Sequence, residues 1–288
     1  MHYINEYEKE EAHNATVLEL ATVYYNITRS LHLKELRAFC LPIKLLSKSP
    51  ANNYRLYEDV KLTYSWDRAV EMYFFSFRVF QGVGNSQGRI MFSKAIALLS
   101  LMDDTYDAHT TFEECEKLNK AIQIWDKSAA SIVPEYLREF YINTLKSFNE
   151  FEDILESGEK FRVSYLQKEV NEVYITFERL RVFSLVQFML FSKYYLEEAK
   201  WCNENYMPFF KGQVELSIKT AGAPVLALAA LMGMGNDATE DTFEWASGVP
   251  DMFNAAGEIG RLLNDISAFK VLMLMFNKRA LLELNLRN

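Results

Sequence analysis

Glycine and proline are scarce, 11 and 6 among 288 residues. Folds built from many short strands use both freely at turns, so an all-β architecture is not expected. Cysteine is scarcer. Cys40, Cys115 and Cys202 are odd in number and far apart, with no CxxC pair and no zinc-ligand spacing. They read as buried thiols of a reducing compartment, not as a disulfide framework. Basic residues are in deficit: the net charge is −8. A nucleic-acid partner, whose phosphates need a basic surface, is therefore not expected. No uninterrupted apolar run approaches the roughly 20 residues of a membrane span; Val182 to Phe191 comes nearest and contains Gln187. Met1 to Glu6 is polar and acidic, unlike a signal peptide. His13 and His32 have no ligand-spaced partner and read as structural.

Apolar and aromatic residues are plentiful instead, at 50% and 14%. Such a chain suits one large all-α domain, a bundle of long helices around a big core. Between Glu8 and Ala38, Leu18, Leu20, Ala21, Tyr24 and Tyr25 mark a buried stripe that Leu31, Leu33, Leu36 and Phe39 continue. Pro42, Ser47, Ser49, Pro50 and Asn52-Asn53 make Leu41 to Tyr57 a loop. Lys61 to Phe80 is a helix dense in rings: Tyr64, Trp66, Tyr73, Phe74, Phe75, Phe77 and Phe80. Its stripe is either core or a pocket wall whose ring faces stabilise cations, at about 0.5–2 kcal/mol per contact. Pro134 to Glu156 is amphipathic, with Tyr136, Phe140, Tyr141, Leu145, Phe148, Phe151 and Leu155 towards the core. Lys160 to Pro208 forms one or two helices. Glu215 to Met232 is a helix interrupted at Gly222 and Pro224.

The chain is organised around one stretch. Ile90 to Met102 is an apolar helical pattern that runs directly into Asp103, Asp104 and Asp107. Asp103 and Asp107 are four residues apart, about one turn from each other on one face. Thr111-Phe112-Glu113-Glu114 reads as a capping box opening the next helix, so the aspartates crowd the C-terminal end of their own. That end already carries about half a negative charge. A hard divalent cation held by carboxylate oxygens would offset it; a solvated acidic rim is the plain alternative. Further on, Arg261, Asn264 and Asp265 lie near one face of a helix over Asn254 to Lys270. Without other information, Arg261 and Asp265 are a simple helix ion pair.

Leu101-Met102-Asp103-Asp104-Thr105-Tyr106-Asp107, continuing through Glu113-Glu114-Cys115 to Trp125-Asp126, resembles the aspartate-rich motif of plant class I terpene synthases. Lys9 to His13, Ser30 to Leu36, Tyr165 to Glu169 and Lys193 to Trp201 are similar to other parts of that family's catalytic domain. Tyr64-Ser65-Trp66-Asp67-Arg68 is similar to its R-x-R element. Arg261-x-x-Asn264-Asp265 resembles the opening of its second metal motif, N/D-D-x-x-S/T-x-x-x-E. The likeness covers most of residues 1–270, is broken near 41–57 and 173–190, and stops inside the second motif. Val173 to Leu190 reads as inserted sequence. The resemblance implies an antiparallel helical bundle of the class I terpenoid synthase type around a central cavity. It implies one catalytic domain over residues 1–288, lacking the N-terminal helical domain of full-length plant enzymes and incomplete at its C-terminus.

The function implied is Mg²⁺-dependent ionisation of a prenyl diphosphate, farnesyl diphosphate before others, with cyclisation to a sesquiterpene and release of diphosphate; Mn²⁺ is an alternative cation. By the same resemblance Asp103 and Asp107 ligate metal on one wall and Asn264 on the other, and Asp104 orients them from behind. Arg68 and Arg261 bind the diphosphate. Thr220, Ala221 and Gly222 point carbonyls into the pocket at the helix break. Phe75 stands where the family carries a cation-facing tryptophan. Three positions depart from the pattern. Trp66 replaces the first arginine of R-x-R, and Ala268 and Leu272 replace the hydroxyl and glutamate of the second motif. They motivate a second expectation, a catalytically inactive helical protein that at most binds Mg²⁺ and diphosphate. A prenyl-chain elongating synthase would carry two aspartate-rich motifs, and one is present. The expected partner is a small-molecule prenyl diphosphate, with no membrane span, in a cytoplasmic monomer.

Overall fold

The structure, a computed structural model, describes residues 2–40, 60, 62–154, 183–234 and 237–285. The predicted loop at 41–57 and residues 173–182 of the predicted insertion lie outside the described residues. Among the described residues, regular secondary structure is helical, as the composition implies. In chain order the helices are α1 (His2–Glu8), α2 (Ala15–Cys40), α3 (Ala69–Val79), α4 (Ser86–Asp104), α5 (Phe112–Ile124) and α6 (Arg138–Ile154). Then follow α7 (Phe183–Asn203), α8 (Phe210–Thr220), α9 (Ala223–Met232), α10 (Glu240–Ser247) and α11 (Asp251–Asn285).

α4 is the hub. Met91, Phe92, Ala97, Leu98, Leu99, Leu101 and Met102 are all buried, because α3, α6 and α9 pack around it. A helix covered on several sides is apolar on several sides, which is why Ile90 to Met102 reads as a nearly continuous apolar run. α5 lies on α7, and both α8 and α9 lie on α11.

Three predicted elements are altered by their surroundings. The aromatic helix starts at Ala69, not Lys61, because Asp67 Oδ1 accepts the Ala69 amide at 2.9 Å and Arg68 leaves helical geometry. Tyr64 and Trp66 therefore sit in the preceding loop. α3 buries Ala69, Met72, Tyr73 and Ser76 and leaves Phe74 and Phe75 half exposed. On α2, Leu20 and Tyr24 are exposed rather than buried. That helix meets the bundle through its second half, at His32, Glu35 and Leu36, while its first half has α1 for a neighbour. On α6, Phe140, Tyr141, Leu145, Phe148 and Phe151 are buried as predicted, whereas Tyr136 precedes the helix and is exposed.

The break between α8 and α9 falls where glycine and proline predict it. Gly222 adopts φ +74°, a left-handed conformation that costs other L-residues roughly 1–2 kcal/mol. A Cβ there would also meet the Phe191 ring at 3.2 Å. Pro224 falls in the first turn of α9, where no N–H is needed. By length and composition alone Phe210–Met232 could cross a membrane. Here it is two helices packed on α7 and α11. α11 approaches α8 closely at Gly257, where a Cβ would lie 2.9 Å from the Ile218 carbonyl oxygen. An apolar void of about 20 Å³ lies among Met91, Leu98, Phe148, Phe188, Val225 and Met232. It has room for one water, and none of the predicted site residues lines it. The polar site opens elsewhere.

Candidate active site

α4 ends at Asp104, and Thr105–His109 winds as a single π turn before the chain extends at Thr110. Such turns are rare and collect at functional sites. Hydroxyl groups hold this one in place. Thr105 Oγ1 donates to the Leu101 carbonyl at 2.6 Å and lies 2.9 Å from the Tyr64 phenol; Thr110 Oγ1 donates to the Thr105 carbonyl at 2.8 Å. The Tyr64 ring stacks on His109 at 4.2 Å. The predicted capping box is formed: Thr111 N donates to Glu114 Oε2, and Glu114 N to Thr111 Oγ1. The aspartates thus stand at a helix C-terminus, where the backbone repels their charge.

The three aspartates have different surroundings. Asp104 Oδ2 accepts from Ser65 Oγ at 2.6 Å, and its Oδ1 from Arg68 Nη2 at 3.2 Å. Arg68 Nη1 also donates to Ser100 Oγ at 2.7 Å, so Arg68 fastens the start of α3 to the end of α4. Asp103 is partly buried, and its Oδ1 accepts from the Tyr195 phenol at 2.5 Å. Burial raises the Asp103 pKa above the usual carboxylate value; the Tyr195 bond opposes this, the charge of Asp104 adds to it, and Arg261 and Arg68 oppose it. Asp107 is exposed at the rim. The protein around it still withdraws it from bulk water, which raises its pKa to about 6; Asp103 contributes and Arg261 opposes.

With Asp103 and Asp107, a carboxyl of another helix makes a set of three. Glu198 on α7 follows Tyr195 by three residues and so shares its face. Thr220 Oγ1 donates to Glu198 Oε1 at 2.9 Å. Burial, then the charges of Asp107 and Asp103, raise the Glu198 pKa to about 7, against the Thr220 bond and Arg261. Arg261 is therefore the cation whose field reaches all three carboxyls, while its Nε stands 3.0 Å from Asp265 Oδ1. Asn264, predicted on the same wall, is exposed, and no hydrogen bond among the described residues joins it to the aspartates. Thr220 is buried, and its carbonyl accepts from Tyr195 at 3.2 Å.

Among the described residues no three His, Cys, Asp or Glu side chains are placed to hold a metal ion by themselves. Carboxylates that raise one another's pKa beside a single shared arginine suit instead a hard divalent cation that takes further oxygens from a phosphate ligand.

Residues 55–179 and 176–274 match the terpene synthase family, metal binding domain. The chain belongs to the terpene synthase family. A eudesmanediol synthase of Zea mays is 44% identical over 271 residues, 94% of this chain and 44% of that protein. A tau-cadinol synthase of Zea mays is 40% identical over 93% and 44%, and an alpha-humulene synthase of Zingiber zerumbet 35% identical over 92% and 43%. The chain thus spans less than half the length of the curated relatives it matches. Isoprene synthase from grey poplar, solved with three Mg²⁺ ions and dimethylallyl-S-thiolodiphosphate, shares the fold. Its TM-score is 0.73 at 22% identity, over 94% of this chain and 47% of that one.

Within this terpene synthase bundle the predicted residues are only partly brought together. Asp103, Asp107, Arg261 and Thr220 converge, and Asp104 and Arg68 form a pair beside them. Phe75 is half exposed, and its described ring contact is Phe74 at 6.4 Å. Trp66 is 79% exposed and Ala268 is exposed; the side chain of Leu272 lies outside the described residues. Sequence reading gave no role to Tyr195 or Glu198. Their spacing of three, inside the run Lys193 to Trp201, was the one available signal.

Proposed function

We propose that this chain ionises a prenyl diphosphate, farnesyl diphosphate before others, and cyclises the resulting cation to a sesquiterpene with release of diphosphate. The supporting observation is the cluster of Asp103, Asp107 and Glu198, three carboxyls held above their usual pKa, with Arg261 the one cation among the described residues that reaches all of them. That donor set fits Mg²⁺, with Mn²⁺ as substitute. When bound, such a cation offsets the charge that grows on the diphosphate as its C–O bond breaks. Asp103, Asp107 and Glu198 would hold it on this wall, with Asn264 the candidate on α11. Arg261 would bind diphosphate oxygens. Arg68 holds Asp104 in place and keeps further N–H groups for a phosphate. Phe75, half exposed on α3, would offer a ring face to the cation. Relatives named as eudesmanediol, tau-cadinol and alpha-humulene synthases support this product class.

A second reading keeps binding without turnover. Water quenches carbocations, and Asp107 and Asn264 are open to solvent. The chain is incubated with Mg²⁺ and farnesyl diphosphate, and the headspace is analysed for hydrocarbons. A sesquiterpene that disappears in Asp103→Ala supports the synthase. No hydrocarbon, with diphosphate binding that Asp103→Ala abolishes, supports the inactive binder.

A further inference from the structure

We infer that Tyr195 is a positioning residue: it presets Asp103 for a cation and links the aspartate wall to the break between α8 and α9. The inference rests on the proposed reading of the carboxyl cluster. Tyr195 is buried in α7, and its one hydroxyl touches two acceptors, Asp103 Oδ1 at 2.5 Å and the Thr220 carbonyl at 3.2 Å. A phenol has a single proton. It can serve one acceptor at a time, and the shorter, charge-assisted bond to Asp103 takes it. The ring itself is fixed. It stacks on Tyr106 at 5.7 Å and meets Phe191 edge-on at 4.7 Å. Tyr106 is anchored through Ser192, which donates to Asn119.

Two consequences follow. Asp103 is held in one orientation before any ligand arrives; Oδ1 carries the hydrogen bond, and Oδ2 carries none among the described residues. Ordering the carboxylate beforehand removes a cost that cation binding would otherwise meet. A cation at Asp103 also draws charge from Oδ1 and weakens its hold on the phenol proton. The alternative acceptor is the Thr220 carbonyl at the end of α8. Occupation of the aspartate wall is thus registered at the helix break, next to Gly222, whose ideal Cβ position lies against the Phe191 ring that also packs on Tyr195.

Tyr106 supplies the control. It is as buried as Tyr195 and also has a hydroxyl partner, but that partner is Ser192, not Asp103. Tyr195→Phe and Tyr106→Phe are compared with the wild-type chain by calorimetric titration with Mg²⁺ in the presence of inorganic diphosphate, with thermal unfolding measured alongside. Tyr195→Phe is expected to weaken cation binding about 10-fold, the lower end for removing a group that orients a ligand. Tyr106→Phe is expected to bind as the wild type does, although both variants lower the melting temperature. Unchanged affinity in Tyr195→Phe, or equal weakening in Tyr106→Phe, overturns the inference while leaving the carboxyl cluster standing. Absence of binding in the wild type overturns both.

Discussion

Two acidic clusters in this bundle meet the same cost of burial with opposite outcomes. Glu35 on α2 receives Arg89 Nε at 2.7 Å and Nη2 at 2.8 Å, the Tyr73 phenol at 2.7 Å, and the Ser86 hydroxyl. Arg89, wholly buried, gives Nη1 to the carbonyls of Phe80 and Gly82. Burial opposes the Glu35 charge, but the bonds from Arg89, Ser86 and Tyr73 outweigh it and hold its pKa at about 2. At Asp103, Asp107 and Glu198 burial is also the largest cause, and nothing among the described residues outweighs it. The chemistry of the acids is the same. What differs is the number of donors the chain supplies. A cluster completed from within is a fastener. A cluster left short of positive charge has room for a ligand to complete it.

The comparison can be broken from either side. The largest expected effect is at the incomplete cluster. Asp103→Ala should lower turnover at least about 10³-fold, or about 4 kcal/mol, while leaving the melting temperature of the ligand-free chain unchanged or higher; steady-state kinetics and calorimetry check both. At the complete cluster the pattern reverses. Arg89→Met strands Glu35 and should cost about 3–5 kcal/mol of stability in urea unfolding, with diphosphate affinity of the folded chain unchanged. Gly257→Ala is intermediate. Its Cβ meets the Ile218 backbone oxygen, which cannot swing aside, so α11 and Arg261 must shift from α8. Activity should fall about 10- to 100-fold, as small misplacements do, and kcat/KM reports it.

The smallest effect is on pH dependence, and its sign differs between clusters. Asp107 and Glu198 titrate at about 6 and about 7 in the folded chain, against 3.8 and 4.5 ordinarily. The stability they contribute is present below those ordinary values and lost as pH rises through the folded ones. Asp107, being exposed, contributes the lesser part. Glu35 works the other way: its contribution is present above 4.5 and lost as pH falls towards about 2. The ligand-free chain should therefore melt highest at about pH 4, where the rise from Glu35 meets the decline from the two raised carboxyls. Glu198→Gln should flatten the decline above that point in melting curves taken across pH.

Features whose physics is local are legible in the sequence. The aspartates at a helix end, the capping box at Thr111 and the break at Gly222 follow from a few neighbouring residues. The stripe on α2 misled because periodicity shows an apolar face but not whether the fold supplies a partner for it. The π turn at Thr105–His109 has no periodic signature; it depends on the Tyr64 phenol from another segment. Tyr195 and Glu198 acquire meaning only when α7 is laid beside α4 and α8. Asn264 shares a helix with Arg261, yet it is exposed and among the described residues no hydrogen bond joins it to the aspartates.

If a cation completes the carboxyl cluster, its binding releases protons. Preformed Mg²⁺–diphosphate is titrated into the full chain at about pH 6.5 in buffers of differing ionisation enthalpy, because metal binding must displace protons from carboxyls that still hold them. The account predicts net proton release in the wild type, clearly reduced in Glu198→Gln and lost at about pH 8.5, where the carboxyls are already ionised. Binding without proton exchange at the lower pH, or release that Glu198→Gln leaves unchanged, would contradict it.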